Sequence, residues 1–466
     1  MADADVLFLS VRELGGRLRR REISPVELTE LCLKRLDTIG RDLNCVATLT
    51  PELAREQARH AEAEILRGED RGPLHGIPYG AKDLLDTAGI RTTWGARPYA
   101  DRVPGGDATV IRLLREAGAI LVAKLSMVEL AGGLGYHFGT ASLQGPMRNP
   151  WNRECWTGGS SSGSAAAVAA GLVPFAIGTE TWGSILCPSA FCGVTGLRPT
   201  YGRVSRHGAM ALSWTMDKIG PLAHSVEDAR TVLTAIAGPD PEDSSASAAA
   251  LEWRRAAGGL KGVRAALLTA DYGKHGEPEA GQAFERAVAD LRGAGLALEE
   301  VLLPDLPFEE AAIVFVQAEA ACAFEPLFRS GDVRKLADER APLQYEVARA
   351  ISATDYIRAM RLRGEMQRAL NVFFEKYDVV VSPNFLKTAP GVTQDFDTYF
   401  SGNDKLGGAG NLAGLPAAAV PMGFGRERMP VGFQVVAAPF DEAMAVRVAA
   451  EYQRHTHWHR ERPPLA

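Results

Sequence analysis

Excess charge of either sign, paired cysteines and long apolar runs are all missing from this 466-residue sequence. Its 51 Lys and Arg against 57 Asp and Glu give a formal net charge of −6. That leaves no electrostatic reason to expect nucleic acid or an anionic membrane surface as a partner, and a small neutral molecule fits better. Six cysteines (Cys32, Cys45, Cys155, Cys187, Cys192 and Cys322) are too dilute for a disulfide framework and show neither a C-x-x-C pair nor zinc spacing. They read as buried thiols in a reducing compartment. The acidic start, Met1 to Ser10, has too short an apolar stretch for a signal peptide, and nowhere do about 18 apolar residues run together. These absences point to a cytoplasmic protein. Nine histidines (His60, His75, His137, His207, His224, His275, His455, His457 and His459) include no obvious partner for a nucleophile, and the C-terminal His-x-His-x-His reads as a solvated tail.

What is present describes an ordinary globular chain, 46% hydrophobic and 23% charged. Length alone allows about three domains, but the pattern reads as one α/β unit. Residues 10–66 carry apolar positions at helical spacing, with Ser24-Pro25 as a helix start, and are expected to form two amphipathic helices. From Gly76 to Gly220 apolar runs (Ala119 to Ala123, Val173 to Ile177) alternate with helical segments (Ala108 to Ala117, Ser164 to Gly171), the rhythm of an α/β sheet. The polar, turn-rich Gly238 to Ser247 is expected to separate two halves of one sheet. Beyond it the pattern predicts strands at Val263 to Thr269 and Leu296 to Leu303 around a helix at Ala280 to Ala294, then a helix-rich stretch, 306–376. That stretch carries Phe315, Phe324, Phe328, Tyr345 and Tyr356, read as core with pocket lining as the alternative. Strands at Tyr377 to Pro383, Ala417 to Pro421 and Val431 to Val436 and a helix from Glu442 to His455 complete the expectation.

The most informative segment joins a Gly/Ser run to small apolar residues, Thr157-Gly-Gly-Ser-Ser-Ser-Gly-Ser-Ala-Ala-Ala-Val168, and leads to a second serine-bearing turn, Trp182-Gly-Ser-Ile185. A flexible linker would not continue into residues that demand burial. Gly159-Ser-Ser-Ser-Gly163 formally matches the G-x-S-x-G elbow, but polar, proline-broken Asn149 to Trp156 stands where that motif needs a buried strand. Phosphate-binding glycine motifs do not fit the run either. Lys82, in His75-Gly-Ile-Pro-Tyr-Gly-Ala-Lys-Asp83, completes a set in which Ser184 is nucleophile, Ser160 the relaying hydroxyl and Lys82 the base. Backbone N–H groups of Thr181, Trp182, Gly183 and Ser184 would face the developing oxyanion. A lysine base must be neutral, and bringing its pKa from about 10.4 to 7 takes roughly 4 to 5 kcal/mol of burial. Asp83 beside it would hold it charged unless that carboxylate points away.

These residues carry a resemblance. Gly76-Ile-Pro with Lys82-Asp83, the Gly158-Gly-Ser-Ser block, Gly178-Thr179 before Gly183-Ser184-Ile185, and Phe191-Cys-Gly-Val-Thr-Gly-Leu-Arg-Pro-Thr-Tyr-Gly-Arg203 resemble the amidase signature family. Asp217-Lys-Ile-Gly-Pro221, Asn411-Leu-Ala-Gly-Leu-Pro416 and Pro430-Val-Gly-Phe-Gln434 extend the likeness over nearly the whole chain, strongest at residues 75–230. The resemblance implies a single large α/β domain, a mixed sheet sandwiched between helices, spanning residues 1–466, with 306–376 as a substrate-binding region. It also implies a Ser, cis-Ser, Lys triad of Ser184, Ser160 and Lys82, and hydrolysis of carbonyl–nitrogen bonds with no metal or organic cofactor. Where that family usually has Asp, Gly and Arg around the nucleophile, this chain has Glu180, Trp182 and Leu186. The Trp182 ring would reshape any pocket it borders, and losing the arginine argues against a substrate with a free carboxylate.

The expectation is therefore a hydrolase for a neutral amide, anilide or carbamate, acting through an acyl- or carbamoyl-enzyme on Ser184 with Trp182 touching substrate. Its partners are expected to be a small neutral substrate, with no nucleic acid and no membrane, and with homo-oligomerisation left open. The alternatives are the glutaminase component of a tRNA-dependent amidotransferase and a non-catalytic binding protein on the same fold.

Overall fold

The short apolar runs become strands of a single mixed sheet. The computed structural model describes residues 3–133, 135–253, 259–268, 276–400 and 405–465. Its strands are β1 (Val46–Leu49), β2 (Pro78–Lys82), β3 (Ile120–Leu125), β4 (Phe175–Glu180), β5 (Thr195–Arg198), β6 (Lys218–Ala223), β7 (Arg264–Leu267), β8 (Ala297–Glu300), β9 (Val379–Pro383), β10 (Ala417–Phe424) and β11 (Pro430–Ala437). They lie in the order β1-β3-β2-β4-β6-β5-β10-β11-β9-β7-β8. β2 pairs in parallel with β3 and β4, and β7 with β8 and β9, while the remaining pairs are antiparallel. Every strand up to β6 lies on one side of the β5–β10 junction and every later one on the other, so the turn-rich Gly238 to Ser247 falls between the two halves.

Strands β2, β3, β4, β6, β9 and β11 are buried along their whole length, as strands must be when helices cover both faces. The helix Ser162–Ala169 is buried on all sides, which explains its all-small composition. A Cβ on Gly163 would come within 2.6 Å of the Cys45 carbonyl oxygen and of Ser126 backbone atoms, so the close approach requires glycine.

The N-terminal segment differs from expectation. It holds three helices, Val11–Arg19, Pro25–Arg35 and Pro51–Arg67, with β1 among them. Ser24 does start its helix, in a reciprocal cap with Glu27. β1 escaped notice because four residues pairing only at the sheet edge with β3 leave almost no period-two signal. Phe315, Phe324 and Tyr345 are core residues, with Phe328 and Tyr356 half-buried against them. Cys32, Cys45, Cys187 and Cys192 are buried, but Cys155 is half-buried and Cys322 exposed, correcting the uniform burial expected. No helix among the described residues is long and apolar enough to cross a membrane. Thr269, expected to end a strand, and His275 lie outside the described residues.

Candidate active site

β3, β2 and β4 run parallel at the centre of their half-sheet, and ligand sites in such sheets form beyond the carboxyl ends of the strands. Lys82 is the last residue of β2, and Thr179 and Glu180 end β4 immediately before the Trp182-Gly-Ser turn. Ser160 stands just ahead of the buried helix Ser162–Ala169, and the peptide bond joining it to Gly159 is cis. The three side chains named from sequence meet here. Lys82 Nζ donates to Ser160 Oγ at 2.8 Å and to Thr179 Oγ1 at 2.8 Å, and Ser160 Oγ lies 2.9 Å from Ser184 Oγ. Lys82 and Ser160 are fully buried, and Ser184 keeps 8% exposure, enough to face an incoming molecule.

Burial brings the Lys82 pKa from 10.5 down to about 7, against the upward pull of Asp217 and Glu180. Asp83, the neighbour that threatened to hold the lysine charged, points away. Its carboxylate accepts from the Thr93 amide (3.0 Å) and hydroxyl (2.5 Å) and faces Lys124 at 3.9 Å. Consecutive residues of extended chain project to opposite faces, so Asp83 supports a separate buried cluster.

In the turn, the left-handed conformation falls on Gly183 (φ 83°), so the large residue at 182 has no strained backbone to adopt. The amides of Thr181, Trp182, Gly183 and Ser184 make no hydrogen bond to a protein acceptor among the described residues, whereas those of Ile185 and Leu186 donate to Glu180 Oε2 at 2.9 and 3.0 Å. Glu180 Oε1 accepts from Arg198 Nη1 at 2.7 Å. Burial alone would raise the Glu180 pKa, but Arg198 and Lys218 overcome it and hold the carboxyl below its usual value. Asp217 accepts from Thr181 Oγ1 at 2.5 Å and from the Leu212 and Ser213 amides, and burial raises its pKa. Lys218 Nζ donates to the carbonyls of Met216 and Thr181.

A cavity of about 170 Å³ lies alongside, lined by Leu84, Thr179, Thr181, Leu212, Asp217 and Lys218 among others. Trp182 is half-buried against the core and does not line it. Sequence reasoning assigned no role to Thr179, Arg198, Asp217 or Lys218. The last three sit inside quoted motifs, but their partners are remote in the chain.

None of the described histidines bonds to either serine: His75 pairs with Glu64, His137 with Asp338 and Asp397, and His224 is buried beside Phe8. The C-terminal triplet is not uniformly solvated, because His459 is half-buried and burial lowers its pKa to about 4. Among the described residues no group of His, Cys, Asp and Glu gathers to hold a metal ion.

The family model described as Amidase matches residues 27–446. The chain is 36% identical to a subunit of the Glutamyl-tRNA(Gln) amidotransferase of Moorella thermoacetica, over 99% of both chains. Among solved structures it is similar to the native peptide amidase of Stenotrophomonas maltophilia, with a TM-score of 0.82 at 30% identity over 98% of both chains. The corresponding Glutamyl-tRNA(Gln) amidotransferase subunit from Thermotoga maritima superposes with a TM-score of 0.80 at 29% identity, covering 95% of this chain and 94% of the other. These relatives correct the expectation of a small-molecule partner alone, with no nucleic acid. Proteins alike along their whole length carry the name of one subunit of an enzyme whose name includes a tRNA. Net charge misleads here because a member of an assembly need not itself present the basic surface that meets phosphate.

Proposed function

Because the chain belongs to the amidase family of hydrolases, we propose that it cleaves a primary carboxamide by attack of Ser184, relayed through Ser160 to Lys82. The observation that carries this is the unbroken chain of contacts from Lys82 Nζ through Ser160 Oγ to Ser184 Oγ, 2.8 and 2.9 Å, with a lysine poised near neutrality. When Lys82 sheds its proton its lone pair accepts from the Ser160 hydroxyl, whose oxygen in turn accepts the Ser184 proton; hydroxyl hydrogens rotate to suit. The Ser184 oxygen then bonds to the carbonyl carbon, and the negative charge on the carbonyl oxygen faces the uncommitted amides of residues 181–184. Collapse returns the proton through Ser160 to the departing nitrogen, leaving an acyl-enzyme that water removes by the same steps. No cofactor enters this scheme.

The substrate favoured by the relatives is the side-chain amide of glutamine, with ammonia passed to an associated chain. The neighbouring cavity is of the size that holds a molecule of about benzene's volume, which suits a small amide. A second reading, direct hydrolysis of an uncharged amide, anilide or carbamate, is favoured by Leu186 and Trp182. Leu186 is 5% exposed and places an apolar side chain where that family usually has arginine. Three buried thiols, Cys32, Cys45 and Cys192, support a cytoplasmic setting. Ammonia or amine release from glutamine and from a panel of amides, anilides and carbamates separates the two readings, alongside affinity capture of associated chains from the native host. Glutamine turnover with a stoichiometric associated chain supports the first. Turnover of uncharged amides by the isolated chain, with glutamine inert, replaces it with the second.

A further inference from the structure

We infer that Glu180 is a positioning residue that holds the nucleophile turn in its reactive shape, with Arg198 as its buried counter-ion. This role depends on Ser184 being the nucleophile. Glu180 closes the turn on itself: from the end of β4 its Oε2 accepts from two amides that follow Ser184, at Ile185 (2.9 Å) and Leu186 (3.0 Å). Thr181 to Ser184 are the residues enclosed, and their amides are left free to face outward. The other oxygen is fixed by Arg198 Nη1 at 2.7 Å, and Arg198 is itself tied down by Nε donating to the Leu415 carbonyl at 3.0 Å. Glu180 and Arg198 are both fully buried, where an ion pair contributes little net stability against an apolar replacement. Its hydrogen bonds, by contrast, fix a turn whose shape matters to the chemistry.

The same carboxylate acts on Lys82 at a distance. The charged groups bearing on Lys82 are Glu180 of β4 and Asp217 of the β5–β6 connection. Arg198 of β5 and Lys218 of β6 stand behind Glu180, and Asp83 is engaged with Lys124. Removing the negative charge at 180 makes Lys82 easier to deprotonate, a change that a purely structural ion pair would not transmit to the reaction.

The test uses the full chain and a fluorophosphonate, which labels an activated serine without a known substrate. Glu180→Gln keeps an oxygen for the two amides but removes the charge. The acidic limb of its labelling profile is expected to move down by about one pH unit. Glu180→Leu with Arg198→Met removes the clamp and leaves no unmatched charge of the pair. Its plateau labelling rate is expected to fall by about 100-fold in folded protein. Ser184→Ala is run beside them: labelling that survives there refutes the nucleophile assignment independently of Glu180. The positioning role is overturned if the folded double variant labels within about threefold of wild type, if the single variant's limb does not move, or if neither variant folds.

Discussion

Replacing Lys82 by Met should strengthen the fold while removing its chemistry. Lys82 is fully buried and its pKa drops from 10.5 to about 7, equivalent to about 5 kcal/mol of penalty on the charged form. The sign follows from proton counts. Between pH 7 and 10.5 the unfolded chain keeps a proton that the folded one has shed, so stability rises with pH across that window, and the penalty is fully present below 7. Methionine has a similar shape and no charge, but leaves Ser160 Oγ and Thr179 Oγ1 without the amine, at about 1 kcal/mol each. The net gain near pH 6 is about 2 to 3 kcal/mol, which at this chain length raises Tm by about 2 to 3 °C. The advantage should shrink steadily as pH approaches 10, while Ser184 labelling falls by at least about two orders of magnitude. Calorimetry of both proteins from about pH 6 to 10 checks it. A Lys82→Met protein less stable than wild type at low pH, or one that keeps its labelling rate, would refute the idea of a lysine held near neutrality by burial.

Ser184→Ala should abolish turnover, and Ser160→Ala should lower it by about two to four orders of magnitude, measured as ammonia or amine release with folding confirmed by circular dichroism. Trp182→Gly should change the ranking of substrates in the amide panel more than it changes Tm, since the turn's positive φ lies on Gly183. An unchanged ranking would show that the ring stays clear of the substrate. Asp228 is buried with its pKa raised from 3.8 to about 6 by burial. Its ionisation therefore opposes folding increasingly as pH rises from 3.8 to 6, and fully above. Asp228→Asn should raise stability at about pH 8 by about 1 to 2 kcal/mol and leave it unchanged at about pH 3, read from urea midpoints.

The serines and lysine were legible because the chemistry dictates those residue types and the surrounding glycines and prolines mark their turns. The direction of Asp83 was not, since neighbouring residues differ in face and only the fold decides which face meets the serines. The Glu180 cluster was hidden for a different reason. Its partners Arg198 and Lys218 reach it through strand pairing, Glu180 standing opposite Lys218 across β4 and β6, and no local pattern announces such register. Long apolar runs such as Val379–Pro383 gave away their strands, whereas β1, at the sheet edge, did not. Net charge misled about partners because it describes the whole surface of one chain and says nothing of what an associated chain contributes.

The central claim is that a buried, neutral Lys82 activates Ser184 through Ser160. The most direct measurement is the pH dependence of fluorophosphonate labelling, with the modified peptide mapped by mass spectrometry. The account predicts a single adduct on Ser184, formed at a rate that rises about tenfold per pH unit to a plateau near pH 7, with that limb lost in Lys82→Met. An adduct on another serine, or a wild-type rate indifferent to pH between about 5 and 8, would contradict it.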